Sequence, residues 1–110
     1  MGRFALVPAS SFKAPVAIHT PGEKPIKIGF NFRHRTRDAL DTMFKDMAAR
    51  AEKGEVLDDL EMIKLVATGW ELEDEFNDEN ITLLIQHHLG SPKAIFETYL
   101  EELAGGRAKN

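Results

Sequence analysis

The apolar residues of this chain change their spacing once, and that change limits the fold more than any other feature. As far as residue 33 they alternate with polar residues, which is typical of strands that bury one face. From Thr36 onward they recur every three or four residues, which is typical of amphipathic helices. Because the two patterns occupy separate parts of the chain, the sequence predicts an α+β fold: an N-terminal antiparallel β-hairpin followed by about four α-helices.

The first part contains two alternating runs, at 12–19 and 26–33, joined by a Pro21-Gly22 turn, and this arrangement predicts the hairpin. Pro15 has no amide hydrogen to donate, so we place its strand at the edge of the sheet. The apolar face of the hairpin carries three phenylalanines and must be covered, and we expect the first helix to cover it. The alternating apolar residues are Phe12, Ala14, Val16 and Ile18, then Ile26, Ile28, Phe30 and Phe32.

The second part predicts four helices with ordinary start and stop signals. Thr36 and Asn77 are suitable N-caps, and Ser91 before Pro92 is a third start signal. A glycine follows the apolar stripe of each helix and is expected to end it. The predicted helices cover residues 36–53, 57–68, 78–89 and 92–104.

A chain of 110 residues has the length of one ordinary domain. We predict a single domain over residues 12–105, made of the hairpin at 12–33 and a helical part at 36–104. The segments on either side offer little to bury, so we predict a flexible leader at 1–11 and a flexible tail at 106–110.

The composition excludes several classes of function. The chain has no cysteine, which rules out disulfides, thiolate catalysis and cysteine-based metal sites. Its net charge is −4, so the molecule as a whole has no long-range attraction to nucleic acid. No apolar run approaches the ~20 residues that span a bilayer, and the apolar stretch near the N-terminus is too short for a signal peptide. We therefore expect a cytoplasmic protein that binds neither membranes nor nucleic acid.

A basic cluster lies where the second strand meets the first helix: Arg33, His34, Arg35 and Arg37. It could bind phosphate groups. However, alternation places the neighbouring phenylalanines on the opposite face of the strand, where they suit a core better than base stacking. We interpret the cluster as the solvated side of a strand that runs into a helix.

The other polar groups do not form a catalytic or metal site. His87 and His88 are adjacent on a helix and point about 100° apart, whereas a helical zinc pair needs i, i+4 spacing. The acidic run at 71–79 lacks the central glycine of a calcium loop. No serine has the setting of a nucleophile. We predict no catalytic residue, no cofactor and no metal.

Three large apolar residues, Trp70, Leu72 and Phe76, are spaced through the acidic connector. In one interpretation they tuck under the helices and hold the connector in place. In the other they form part of a partner-binding surface, where aromatic residues are enriched. We predict them as partner-binding residues and leave the first interpretation open.

The order of these features resembles one family. A Phe12-Lys13-Ala14-Pro15-Val16 start is followed by a Pro-Gly turn and an alternating strand that ends Arg33-His34-Arg35-Thr36. Then come Gly69-Trp70, an acidic stretch, Phe76, and a helix pair with Leu84-Ile85 and with Ile95, Tyr99 and Leu103. Over roughly residues 12–110 this pattern is similar to the phage tail assembly chaperones of long-tailed bacteriophages and prophages.

The resemblance implies a non-enzymatic role in virion assembly. Chaperones of this family bind the long helical tape measure protein in the host cytoplasm and keep it soluble until tail tube subunits polymerise around it. They are absent from the finished virion. The resemblance also leaves open contacts with the tail tube protein and self-association.

The alternative is a small nucleic-acid-binding regulator that uses residues 78–89 and 92–104 as a helix-turn-helix. Charge argues against it, because the last helix carries Glu97, Glu101 and Glu102 but only Lys93 as a base.

Overall fold

A computed structural model describes residues 4–105 of the chain. It has an antiparallel three-stranded sheet at the N-terminal side, followed by helices, so the predicted α+β class is confirmed. The predicted tail at 106–110 and the first three residues of the predicted leader lie outside the described residues. The elements, in chain order, are β1 Ser11–Ile18, β2 Ile26–Arg33, α1 Arg37–Glu52, α2 Asp59–Val66, β3 Ala67–Trp70, α3 Asp78–His87 and α4 Ser91–Leu103.

The predicted hairpin is present, with each strand within one residue of its expected bounds. Phe12 pairs with Phe32 and Val16 with Ile28, so the apolar residues of the two strands share one face. The strand order is β1-β2-β3, which leaves β1 at the edge and keeps Pro15 out of the sheet interior, as predicted.

The third strand was not predicted. Residues 67 and 68 continue the apolar pattern of the preceding helix and were assigned to it, with Gly69 as its end. Instead α2 stops at Val66, and the next four residues pair antiparallel with β2, placing Trp70 opposite Phe30. The pairing has an irregularity at Asn31 and Phe32. The helix ends earlier than predicted because the residues that follow Val66 pair with β2 and complete the sheet.

The helix starts are mostly as predicted. The Thr36 hydroxyl accepts a hydrogen bond from the Ala39 amide at 3.0 Å, and the Asn77 side chain caps α3 in the same way. The prediction for Ser91 was wrong. Gly90 is the N-cap of α4 and makes no side-chain cap hydrogen bond, while Ser91 is the first helical residue and is buried.

The helix that covers the aromatic face of the sheet is α4, not α1 as we expected. Tyr99 is fully buried and lies against the rings of Phe12 and Phe32, with centroid distances of 6.3 and 5.4 Å. Its hydroxyl accepts a hydrogen bond from Arg35 at 2.9 Å. The core therefore joins the sheet to α2, α3 and α4. Its largest fully buried side chains are Tyr99, Phe30, Phe32, Ile63, Ile81 and Ile95.

In contrast, α1 lies beside this core. Met43 is its one buried residue, and Leu40 packs at the edge of the core. Phe44 remains 40% exposed and meets α4 through an edge-on contact with Phe96, at 6.3 Å between ring centroids. The remaining apolar residues of α1 are half-buried or exposed, so much of its apolar face is uncovered.

Candidate partner-binding groove

Trp70 is held by contacts on several sides at the end of β3. Its indole nitrogen donates a hydrogen bond to the Asp74 carbonyl at 2.7 Å, so the acidic connector folds back around the ring. Phe30 and Phe76 both meet the indole edge-on, with centroid distances of 6.0 and 5.1 Å. This geometry orders the connector and fixes the indole.

The three predicted partner-binding residues have different surroundings. Trp70 is buried, and Phe76 is half-buried and packs against the core. Leu72 lies between them in the chain and keeps 38% of its surface exposed. Two of the three thus contribute to the fold. Their role toward a partner remains a prediction.

Trp70 and Leu72 line one groove, which we call the turn-end groove because it lies beside the hairpin turn. It has a volume of about 470 Å³. Its apolar lining comes from the ends of the strands, the connector and α3. The main apolar residues are Ile18, Ile26, Ile28, Trp70, Leu72 and Leu83.

Two apolar residues of this groove are unusually exposed. Ile26 is 59% and Leu83 51% exposed, although both are large and aliphatic. Neither was predicted as a site residue. Ile26 follows the strand alternation, which indicates a buried residue, but the helices do not extend over the turn. A signal existed for Leu83, because it falls outside the apolar stripe formed by Ile81, Leu84 and Ile85.

The rim of the groove is polar. Thr20, beside the hairpin turn, and His88, at the end of α3, are joined by a 3.0 Å hydrogen bond between the threonine hydroxyl and Nδ1. Asp74, Asn80 and His87 also line it. Apolar walls with few polar groups at the rim are typical of sites that bind a partner side chain or ligand. The interaction between Thr20 and His88 ties two walls of the groove together.

An ion pair anchors the connector to the sheet. The Lys13 ammonium lies 2.8 Å from the Glu71 carboxylate, and both side chains are largely exposed. The hydrogen bond and the charge attraction to Glu71 raise the pKa of Lys13 above its ordinary value of 10.5. The remaining acids of the connector, Glu73, Asp74 and Glu75, are exposed.

Two of the polar residues considered from the sequence make hydrogen bonds to other parts of the fold. His88 is bonded to Thr20, and Arg35 to the Tyr99 hydroxyl. Within residues 4–105, no group of three or more histidine, aspartate or glutamate side chains is placed so that it could hold a metal ion. In that same part of the chain, no helix has the length and apolarity needed to cross a membrane.

Comparison with known proteins gives a family. Neither the curated proteins nor the solved structures gave a match to this chain. The family model described as phage tail assembly chaperone matches residues 1–110, which is the whole chain. The order of hairpin, helix, Gly-Trp, acidic connector and helix pair from which the resemblance was drawn is therefore supported by an independent comparison. The chain belongs to the family of phage tail assembly chaperones.

Proposed function

We propose that this protein binds the tape measure protein of its phage in the host cytoplasm and keeps it soluble during tail assembly, without catalysis. The observation that carries the proposal is the turn-end groove. It exposes Ile26, Leu72 and Leu83 together on a molecule of a chaperone family. Exposed apolar residues grouped in this way are typical of protein interaction sites.

A helix is the occupant that this groove suits. An amphipathic helix presents apolar side chains at i, i+3, i+4 and i+7, and such anchors bind in apolar grooves. We propose that Leu72 contacts the partner directly and that Trp70 forms the floor of the turn-end groove. Phe76 acts indirectly, because its ring holds the indole at 5.1 Å.

The acidic surface has a role in the same proposal. Several chaperone copies on one long helical chain must stay dissolved, and net negative charge favours solubility. The chain carries a net charge of −4, and Glu73, Asp74 and Glu75 lie exposed next to the groove. Contacts with the tail tube protein and between chaperone copies are compatible with this arrangement, and we propose them as secondary.

The nucleic-acid alternative would place α4 in a DNA groove. One side of α4 is buried within the fold, at Ile95, Thr98 and Tyr99, and is not available to DNA. On its exposed side, Lys93 lies 3.9 Å from Glu97, which reduces its availability to a phosphate. We therefore retain the chaperone proposal alone.

Co-expression of the full chain with the tape measure protein tests the proposal. We expect the chaperone to raise the soluble fraction of the tape measure protein several-fold and to co-purify with it. Leu83→Asp introduces a charge into the groove and should abolish both effects. Val7→Asp is the matched control, because Val7 is 86% exposed and lies outside the groove. Equal activity of the two variants would contradict the proposal.

Alanine substitutions separate binding from folding at the three predicted residues. Leu72→Ala should weaken co-purification and change the free energy of unfolding by no more than ~1 kcal/mol, because the side chain is already partly exposed. Trp70→Ala should cost ~3 kcal/mol, because it removes a packed aromatic ring. Phe76→Ala should lower the free energy of unfolding by an amount between these two values. If Leu72→Ala leaves co-purification unchanged, the direct contact lies elsewhere.

A further inference from the structure

A second groove, which shares no lining residue with the turn-end groove, lies along α1 where that helix leaves the core uncovered. We call it the α1–α2 groove. Its volume is about 490 Å³, similar to that of the turn-end groove. Along α1 its lining residues run from Ala39 to Arg50, which corresponds to about 17 Å of helix, and Lys53 lines it just after the helix ends. Its apolar floor includes Met43 and Met47 on one side and Leu57 and Leu65 on the other.

The shape of this groove suits a helix. It lies between two helices and follows one of them for about three turns, so a third helix could lie along it. Methionine side chains are flexible and polarisable, and they adapt to differing apolar surfaces. Met47 is half-buried, which leaves part of this side chain available to an occupant.

The charged residues around the groove favour a helix of opposite charge. The charged residues that line it are Arg35, Arg50 and Lys53, with Asp46 as the single acid. Arg35 donates a hydrogen bond to the Tyr99 hydroxyl, a contact that does not involve a carboxylate. Arg50 faces Glu61 at 4.0 Å, the limit of an ion pair.

Glu61 is itself engaged. Its carboxylate also accepts a hydrogen bond from the Asp58 amide at 3.2 Å, as part of the cap of α2. Arg50 is therefore only weakly compensated. The two ends of the groove are basic, since Arg35 lies before α1 and Lys53 after it. The basic cluster noted in the sequence continues from the Arg35 end, where Arg33 and Arg37 are exposed.

We propose that the α1–α2 groove is a second docking site, selective for an amphipathic helix with acidic residues along its edges. The site deepens the proposed function, since it would hold a second helical segment of the same partner. The second site depends on the proposed function in one respect only, which is that the partner is helical. Two grooves with separate linings would let one chaperone bind two segments, which strengthens binding through effective concentration.

Synthetic helices test the selectivity directly. Two dye-labelled peptides share one leucine stripe and lack tryptophan; one has glutamates along both edges and the other lysines. Fluorescence anisotropy with the full chain at low salt should show binding of the glutamate peptide about tenfold tighter, because three exposed charge pairs contribute a little each. The difference should shrink as salt is added. Equal affinity for the two peptides would overturn the proposal.

The single tryptophan reports which groove is occupied. Trp70 lines the turn-end groove and not the α1–α2 groove, so its emission should stay unchanged while the glutamate peptide binds. An emission shift that follows the binding curve would assign the peptide to the turn-end groove and would overturn the proposal.

Charge reversal completes the test. Arg50→Glu with Lys53→Glu should remove the preference for the glutamate peptide or reverse it. Lys45→Glu is the matched control for Arg50→Glu made alone, since each reverses one charge on α1 and Lys45 lies outside the groove. Equal effects of Arg50→Glu and the control would reject the site.

A second copy of the chain is the competing occupant. Sedimentation velocity of the free chain should show a monomer, or an association that Met47→Glu leaves unchanged. A self-association that Met47→Glu abolishes would mean that the groove is an interface between copies, and the proposal would fail. These measurements use no tape measure protein, so their outcome is independent of the co-expression test.

Discussion

Helices α1 and α4 have similar patterns and very different environments. Both are amphipathic, and α1 is the longer. Yet α4 buries five of its residues, including Tyr99, while α1 buries Met43 alone. The comparison shows that an apolar stripe indicates a buried face without indicating what will bury it.

The difference in burial between α4 and α1 follows from the side chains in their apolar stripes. The stripe of α4 contains a tyrosine whose ring packs against both Phe12 and Phe32 and whose hydroxyl accepts a hydrogen bond from Arg35. The stripe of α1 ends in small residues, Ala48 and Ala51, which cover little of an aromatic face. Burial of a large ring removes more apolar area from water, so the sheet favours α4.

The largest test of this comparison is Tyr99→Ala, which should lower the free energy of unfolding by about 3–5 kcal/mol. Urea unfolding followed by circular dichroism measures it. Tyr99→Phe keeps the ring and removes the hydrogen bond with Arg35, so it should cost about 1 kcal/mol and remain measurable if the alanine variant does not fold. A loss under 1 kcal/mol for the alanine variant would mean that α4 does not cover the sheet.

The corresponding test on α1 is Met43→Ala. Met43 is buried, but its surroundings include an open groove that can relax, so we expect a loss of about 2 kcal/mol, at the low end for a buried side chain. The same urea titration measures it. A loss as large as that of Tyr99→Ala would show that α1 belongs to the core after all.

Phe44→Ala examines the contact between the two helices. Phe44 is partly exposed and touches Phe96 edge-on, so its removal should cost about 1 kcal/mol. A double-mutant cycle with Phe96→Ala measures how much of that cost belongs to the ring pair. A coupling energy of zero would show that the ring pair does not contribute to the packing of α1 against α4.

The helix starts give the smallest effects, with opposite signs. Thr36→Ala removes the cap of α1 and should cost about 1 kcal/mol. The Ser91 hydroxyl in α4 is buried and has no hydrogen-bond partner among the described residues, so Ser91→Ala should be neutral or stabilising by up to about 1 kcal/mol. Thermal melts of both variants check the signs. A destabilised Ser91→Ala would indicate that the hydroxyl has a partner.

Local features were predictable from the sequence. The alternation of apolar residues placed both strands of the hairpin, and the side chains of Thr36 and Asn77 marked two helix starts correctly. These signals depend on residues close together in the chain. The long-range features were not accessible in the same way. β3 was missed because Ala67 satisfies a helical stripe as well as a strand, and only pairing with β2 decides between them.

The site shows the same division. The sequence drew attention to Trp70, Leu72 and Phe76 because they are apolar residues in an acidic segment. It could not show that Trp70 and Leu72 share a groove with Ile26 and Leu83, because these residues come from separate elements. The α1–α2 groove was also inaccessible, since it exists only because α4 occupies the place expected for α1.

The cover provided by Tyr99 has a consequence for how the molecule folds. β1 and the ring that shields it are separated by most of the chain, and β2 reaches β3 only across both α1 and α2. Contacts between such distant parts of a sequence form slowly, because a long loop must close before they stabilise anything. If α4 docks last, Phe12 and Phe32 lack the ring that covers them until then, and such exposed surfaces promote aggregation. A protein proposed to shield another chain would then need the same shielding while it folds.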